Sequence, residues 1–226
     1  MDFMQSRREE RMKAYISGAE LDVRTYNLIM GATVVYGLVM NVLACIFLTD
    51  FALGIHPIGC LVGYIALCLA GTLISARSDN PVISFLGYNL IVLPVGLVVS
   101  ISVYYYGGLS SPVVYQAFVL TACIAVIMTV LSGIFPDFFA KLGGMLLASL
   151  FAIIIGSALC MFLGWSTYYL SIFAAAIFSL YIGYDMYRAQ RYPKTADNAV
   201  DCAVDIYLDI INLFLRLLRI LGRRRN

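Results

Sequence analysis

Asp201, Asp205, Asp209, Asn212, Arg216, Arg219 and Arg223 are spaced four, four, three, four, three and four residues apart near the end of the chain. Such steps place them all on one stripe of a helix. The other positions from Ile206 to Leu221 are apolar, Tyr207 being the mildest exception, so Asp209 lies inside an oily run, VDIYLDIINLFLRLLRIL. A carboxylate is costly in lipid and is found facing a protein interior or a water path, which makes Asp209 a candidate functional group. The helix dipole accounts for acids at the start of the stripe and for Arg219 to Arg225 at its end, but not for Asp209 more than two turns in. Asp197 and Asp201 are accordingly expected to be solvated.

Asp185, in SLYIGYDMYRAQ, is the second key acid, about one turn before Arg188. The short connection 188–199 makes the two acid-bearing segments antiparallel neighbours, which brings Asp185 toward the acidic end of the stripe. Two carboxylates that close cannot both ionise cheaply, so they share a proton at mildly acidic pH and lose it as pH rises. The pair is a switch by construction. Oxygen ligands of this kind suit calcium or a proton alone, and with no EF-hand loop a calcium site would be built across helices from Asp185, Asp209 and Asp205. Asn212 and Arg216, further along the stripe, would line an ion path with Asp205. Arg77 is the expected counter-charge, a fork able to hold a carboxylate through two hydrogen bonds and latch a cavity shut. The competing reading of Arg77 is a snorkelling arginine at a span end. Asp79, in SDNP, reads as a turn or cap residue.

Lipid is the solvent that positions these groups. The 226 residues are 62% hydrophobic and only 12% charged, well outside the range of soluble globular chains. Six apolar segments of about bilayer-spanning length precede the stripe, over Leu28–Leu48, Pro57–Ala76, Val82–Tyr104, Val113–Ser132, Leu142–Leu163 and Thr167–Tyr187. Turn chemistry or charge separates them: Asp50 with Gly54 and Pro57, RSDNP, GGLSSP, FPDFFAK and GWS. Helices are the spanning element, since barrel strands would be about ten residues of alternating polarity. The organisation expected is a polar N-terminal tail over 1–26, a transmembrane domain over 27–221 and a short basic end over 222–226. No signal-peptide pattern opens the chain.

Positive charge sets the orientation. Arg7, Arg8, Arg11, Lys13 and Arg24 in the N-terminal tail, Arg77, Lys141, and Arg188, Arg191 and Lys194 make ten positives on one side, and the first, third and fifth connections carry none. The N-terminus is therefore expected in the cytoplasm. The striped segment has three options: a central spanning helix, ranked first, although it would carry Arg223, Arg224 and Arg225 outside; a re-entrant segment; or an interfacial helix, which would favour basic over acidic residues on its polar face.

Other chemistry has little support. None of Cys45, Cys60, Cys68, Cys123, Cys160 and Cys202 forms a CxxC, and five lie in apolar stretches, as small buried hydrophobes do. His56 is the only histidine, which excludes HExxH zinc chemistry. An intramembrane aspartyl protease would need GxGD around its second acid, where this chain reads IYLD. The chain is not expected to be an enzyme, to hold a tight cofactor or to bind nucleic acid.

SLYIGYDMYRAQ followed by AVDIYLDIINLFLRLLRIL closely resembles the C-terminal signature of the transmembrane Bax inhibitor motif family, in which a YD or FD ends the sixth helix and a YLDxINLFLxLLR-like helix follows. The match covers about 40 residues, and beyond it the agreement is in hydropathy, length and the charged turn around Arg77. The resemblance implies an all-α integral membrane protein, a seven-transmembrane-helix bundle with the last helix central. It also implies a pH-sensitive calcium leak controlled by an aspartate pair, which falls on Asp185 and Asp209, with a latching arginine on or next to Arg77. Calcium would be the transported ion and the lipid bilayer the surroundings. The compactness of the chain is similar to the bacterial branch, hence a multi-pass protein of the bacterial plasma membrane. Two other roles stay open: an interaction protein that restrains a membrane-bound quality-control protease, and a proton-coupled transporter using the same acids.

Overall fold

The computed structural model describes residues 20–223. Most of the expected polar tail, with Arg7, Arg8, Arg11 and Lys13, and the last three residues with Arg224 and Arg225, lie outside the described residues.

Among the described residues the chain forms nine helices and no strand: α1 Val23–Phe47, α2 Thr49–Gly54, α3 Pro57–Arg77, α4 Pro81–Tyr105, α5 Pro112–Ile134, α6 Pro136–Ala140, α7 Gly143–Leu163, α8 Tyr168–Arg191 and α9 Ala196–Arg223. Four of them open on proline, whose fixed φ and missing N–H suit a first helical turn. α1, α3, α4, α5, α7 and α8 are long and apolar enough to cross a membrane, in agreement with the six apolar segments. Only 11% of the most apolar stretch of α3, and of α7, is buried within the protein. Side chains such as Leu61, Val62, Phe151 and Ile155 stay exposed, which is stable only with lipid around them.

Where the helix ends differ from expectation, local chemistry explains it. α1 starts at Val23 rather than near Leu28 because the Asp22 carboxylate accepts from the Thr25 N–H at 3.1 Å. Hydrogen bonding from the Thr25 side chain first, and from its N–H second, holds the Asp22 carboxyl below its usual 3.8. His56 is a cap, its Nδ1 accepting from the Ile58 N–H at 3.3 Å. In the SDNP turn the cap is Asn80, which accepts from the Val82 N–H at 2.9 Å, and not Asp79. α7 ends where Gly164 takes a left-handed φ of 64°, with Trp165 N–H donating to Cys160 O at 2.9 Å.

The described residues form two compact units, 20–104 with 189–207, and 105–188 with 208–223. In the first, Tyr26, Met30, Tyr88, Ile91, Ala203 and Tyr207 are buried, and the Tyr88 and Tyr207 rings meet edge-on at 5.4 Å. α3 and α4 touch at Gly71 and Gly87: a Cβ added to Gly87 would lie 2.7 Å from the Gly71 carbonyl oxygen. Small residues allow this backbone approach in membrane helices. In the second unit Phe139, Leu146, Ile153, Phe178, Ile182 and Leu213 form the core. Phe139 reaches it because Gly183 leaves room for its ring.

Candidate functional site: buried carboxylates on the last two helices

α9 is a single helix of 28 residues, and its polar stripe supplies acids to both units. In the second unit, Asp185 lies near the end of α8 and Asp209 in the middle of α9, and they are 8% and 7% exposed. Asp185 and Arg188 are three residues apart on one helix and so share a face. Arg188 donates from Nη1 to Asp185 Oδ1 at 2.8 Å, a short charge-assisted bond. The same guanidinium lies 5.4 Å from the centre of the Tyr184 ring. Tyr181, one turn before Asp185, interacts electrostatically with both Asp185 and Asp209. Further along the stripe, Asn212 and Arg216 are half-buried, and the Asn212 amide donates back to Leu208 O at 2.8 Å.

In the first unit the start of the stripe is built differently from expectation. Asp197 and Asp201 are buried, not solvated. Ser84 Oγ on α4 donates to Asp197 Oδ1 at 2.6 Å, and Ser75 Oγ on α3 donates to Asp201 Oδ1. A buried carboxylate needs such donors to offset the loss of water. Asp205 is half-buried. Arg77, the expected latch, ends α3 with an exposed side chain. Among the described residues no group of three or more His, Cys, Asp or Glu side chains could hold a metal ion.

A family model described as an inhibitor of apoptosis-promoting Bax1, Bax1-I, matches residues 19–226. The chain belongs to this family. An uncharacterized membrane protein of Streptococcus pyogenes is 35% identical over 124 residues, 49% of this chain and 52% of its own length. An uncharacterized protein of Helicobacter pylori is 34% identical over 112 residues, 48% of this chain and 47% of its own. A Golgi anti-apoptotic protein of vaccinia virus is 36% identical over 111 residues, 48% and 46% of the two chains. The chain thus spans about half the length of the curated relatives it matches. With six helices long and apolar enough to cross a membrane, and similar to a Streptococcus protein whose name calls it a membrane protein, it is an integral multi-pass protein embedded in the bilayer.

Sequence reading of this Bax1-I chain missed four groups that bear on the acids. Arg188 and Tyr181 carried a signal, since both fall one turn from Asp185 in SLYIGYDMYR. Ser75 and Ser84 carried none, because a serine in an apolar helix commonly bonds its own backbone. Ser75→Ala removes a donor to a buried charge, worth about 1.5–3 kcal/mol. We expect thermal unfolding in detergent to register a destabilisation of that order, with Ser84→Ala acting in the same sense. A neutral Ser75→Ala would contradict a buried, hydrogen-bonded Asp201.

Proposed function

We propose that this protein is a seven-helix calcium leak pathway gated by protonation of Asp185 and Asp209. The observation that carries the reading is the burial of both carboxylates within one unit, with Tyr181 in electrostatic reach of each. Two carboxylates in such surroundings exchange protons as a coupled pair, and their oxygens are the hard ligands a passing calcium ion takes. Calcium is cargo on this reading, not a resident ion.

A crossing by α9 is supported at each of its ends. Its start is bonded to Ser84 and Ser75, at the ends of α4 and α3 on the side rich in positive charge. Its end is bonded to Ser166 and packed against Tyr106, in the fifth and third connections, which carry no Lys or Arg. At about 1.5 Å per residue, its 28 residues reach about 42 Å, beyond the ~30 Å hydrocarbon core. An uninterrupted helix also disfavours the re-entrant option. By the positive-inside rule the N-terminus is cytoplasmic, and a bacterial plasma membrane is the setting proposed.

The test is calcium flux into liposomes holding the purified protein, from about pH 6 to 8 where a coupled pair can titrate. Wild-type flux should change with pH, and Asp185→Asn and Asp209→Asn should each lose that dependence. Arg188→Gln should alter the pH profile, and Arg77→Gln should alter it only if Arg77 is the latch. If no flux exceeds that of empty liposomes at any pH, the leak reading falls. The name of the viral relative, a Golgi anti-apoptotic protein, then favours an interaction protein that opposes cell death, and a membrane-bound protease is the other partner proposed.

A further inference from the structure

The end of α9 builds a second polar site whose chemistry is opposite to that of the acids. Gly222 has no side chain, and a Cβ there would overlap the Tyr106 ring, so that ring closes directly on the helix. One residue on, Arg223 donates from Nη1 to Ser166 Oγ at 2.6 Å, and its guanidinium lies 4.8 Å from the centre of the Tyr168 ring. Ser166 Oγ also accepts from the Tyr168 N–H at 3.3 Å. These contacts hold Arg223 in place, and Arg219, one turn earlier, is exposed beside it. Tyr106, Ser166, Thr167, Tyr168, Arg219 and Arg223 line an open cavity of about 230 Å³.

The lining supplies two guanidinium groups and four hydroxyls and contains no carboxylate. Both cations suit the C-terminal end of the α9 dipole, and no carboxylate in the lining neutralises them. Guanidinium forks match the oxygens of a phosphate, which can be gripped through parallel hydrogen bonds. Size agrees: at about 30 Å³ per water, the cavity has room for about seven waters, enough for a phosphate group and its nearest substituents. Trp165, Tyr169 and Tyr105 are exposed beside it, with Phe162 and Met161 one turn deeper. Tryptophan and tyrosine collect at the headgroup level of membranes, so the cavity opens where phosphates are presented.

We infer that this cavity binds a phosphate group, presented by an anionic phospholipid headgroup or as free inorganic phosphate. The inference does not depend on Asp185 or Asp209, nor on whether calcium passes.

Trp165 is the only tryptophan in the chain and adjoins Ser166, so its fluorescence reports on the site. Full-length protein would be placed in phosphatidylcholine vesicles containing increasing amounts of brominated-chain phosphatidylglycerol or brominated-chain phosphatidylcholine. Phosphatidylglycerol should quench Trp165 at a mole fraction lower by about fivefold, the effect of one arginine near an anionic headgroup. Arg219→Gln, at an exposed position with no structural bond to lose, should erase the preference, and Arg223→Gln should do the same. A saturable Trp165 response to inorganic phosphate in pure phosphatidylcholine, absent in Arg219→Gln, would assign the site to free phosphate. Equal quenching by both lipids with no phosphate response would overturn the inference. So would a lipid preference that survives Arg219→Gln, since it would then be a general attraction to the basic end of the chain.

Discussion

Gly37→Ala should be among the most damaging single substitutions in this protein, costing about 3–5 kcal/mol through overpacking and lost hydrogen bonds. A Cβ at Gly37 would overlap the Tyr88 hydroxyl and lie 2.9 Å from Cδ2 and Cε2 of Tyr207. Both tyrosines are fully buried, so neither ring has open space to move into. Displacing Tyr88 breaks its bond to Thr33 O at 3.1 Å, and displacing Tyr207 breaks its bond to Asn41 Oδ1 at 3.0 Å. Overpacking costs about 1–3 kcal/mol, and each stranded buried group adds about 1–3 kcal/mol. Gly31→Ala is the control, because its Cβ would meet nothing within 4 Å on the same helix. That substitution should be neutral or stabilising by up to about 1 kcal/mol, the helix preference of alanine over glycine. Thermal unfolding of the two variants in detergent decides the matter, and similar midpoints would refute the packing described for Tyr88 and Tyr207.

Those two glycines also mark the limit of what the sequence discloses. Gly31 and Gly37 sit six residues apart in one apolar helix, and only the helix packed against α1 distinguishes them. Features set by the membrane were legible: length and apolarity give the six spans, and the prolines at 57, 81 and 112 mark helix starts. The burial of Asp209 was legible for the same reason, as an acid inside an oily run has no polar surface to reach. The burial of Asp197 and Asp201 was not. They sit near a helix start, where dipole and solvent are a sufficient account, and their burial follows from serines far away in sequence. α2 and α6 were missed because six and five residues are too few to show a helical period. The bond from Arg188 to Asp185 at 2.8 Å exposes a bias of span-level reading. Charges were sorted by side of the membrane first, and Arg188, although one turn from Asp185, was counted among the topology signals and not as its partner.

Lys194 was counted in that way too, and the structure makes it a hub of the first unit. Its ammonium donates to three carbonyl oxygens, of Ala189, Gln190 and Tyr192, at 3.1, 2.8 and 3.2 Å. It lies 4.7 Å from the centre of the Tyr26 ring. Those carbonyls belong to the end of α8, where the helix leaves its last acceptors unsatisfied and partially negative. The backbone fastens the same connection to the start of α1, with Leu21 N–H donating to Lys194 O at 2.7 Å and Tyr26 Oη to Ala189 O at 3.1 Å. Lys194→Met keeps the length of the side chain and deletes every donor, so it should destabilise the protein by about 3 kcal/mol, near 1 kcal/mol for each net hydrogen bond. Burial pushes the Lys194 ammonium below its usual 10.5, which fixes the sign of the pH effect. Between that lowered value and 10.5 the unfolded chain binds more proton than the folded one, so folded wild type gains stability as pH rises through this window. The gap between wild type and Lys194→Met should therefore widen toward alkaline pH. A gap that narrows would mean that the three bonds donated by the ammonium outweigh the cost of burying it. Lys194→Arg sharpens the distinction: it keeps the charge, but its planar fork cannot aim at three carbonyls at once, so rescue should be partial.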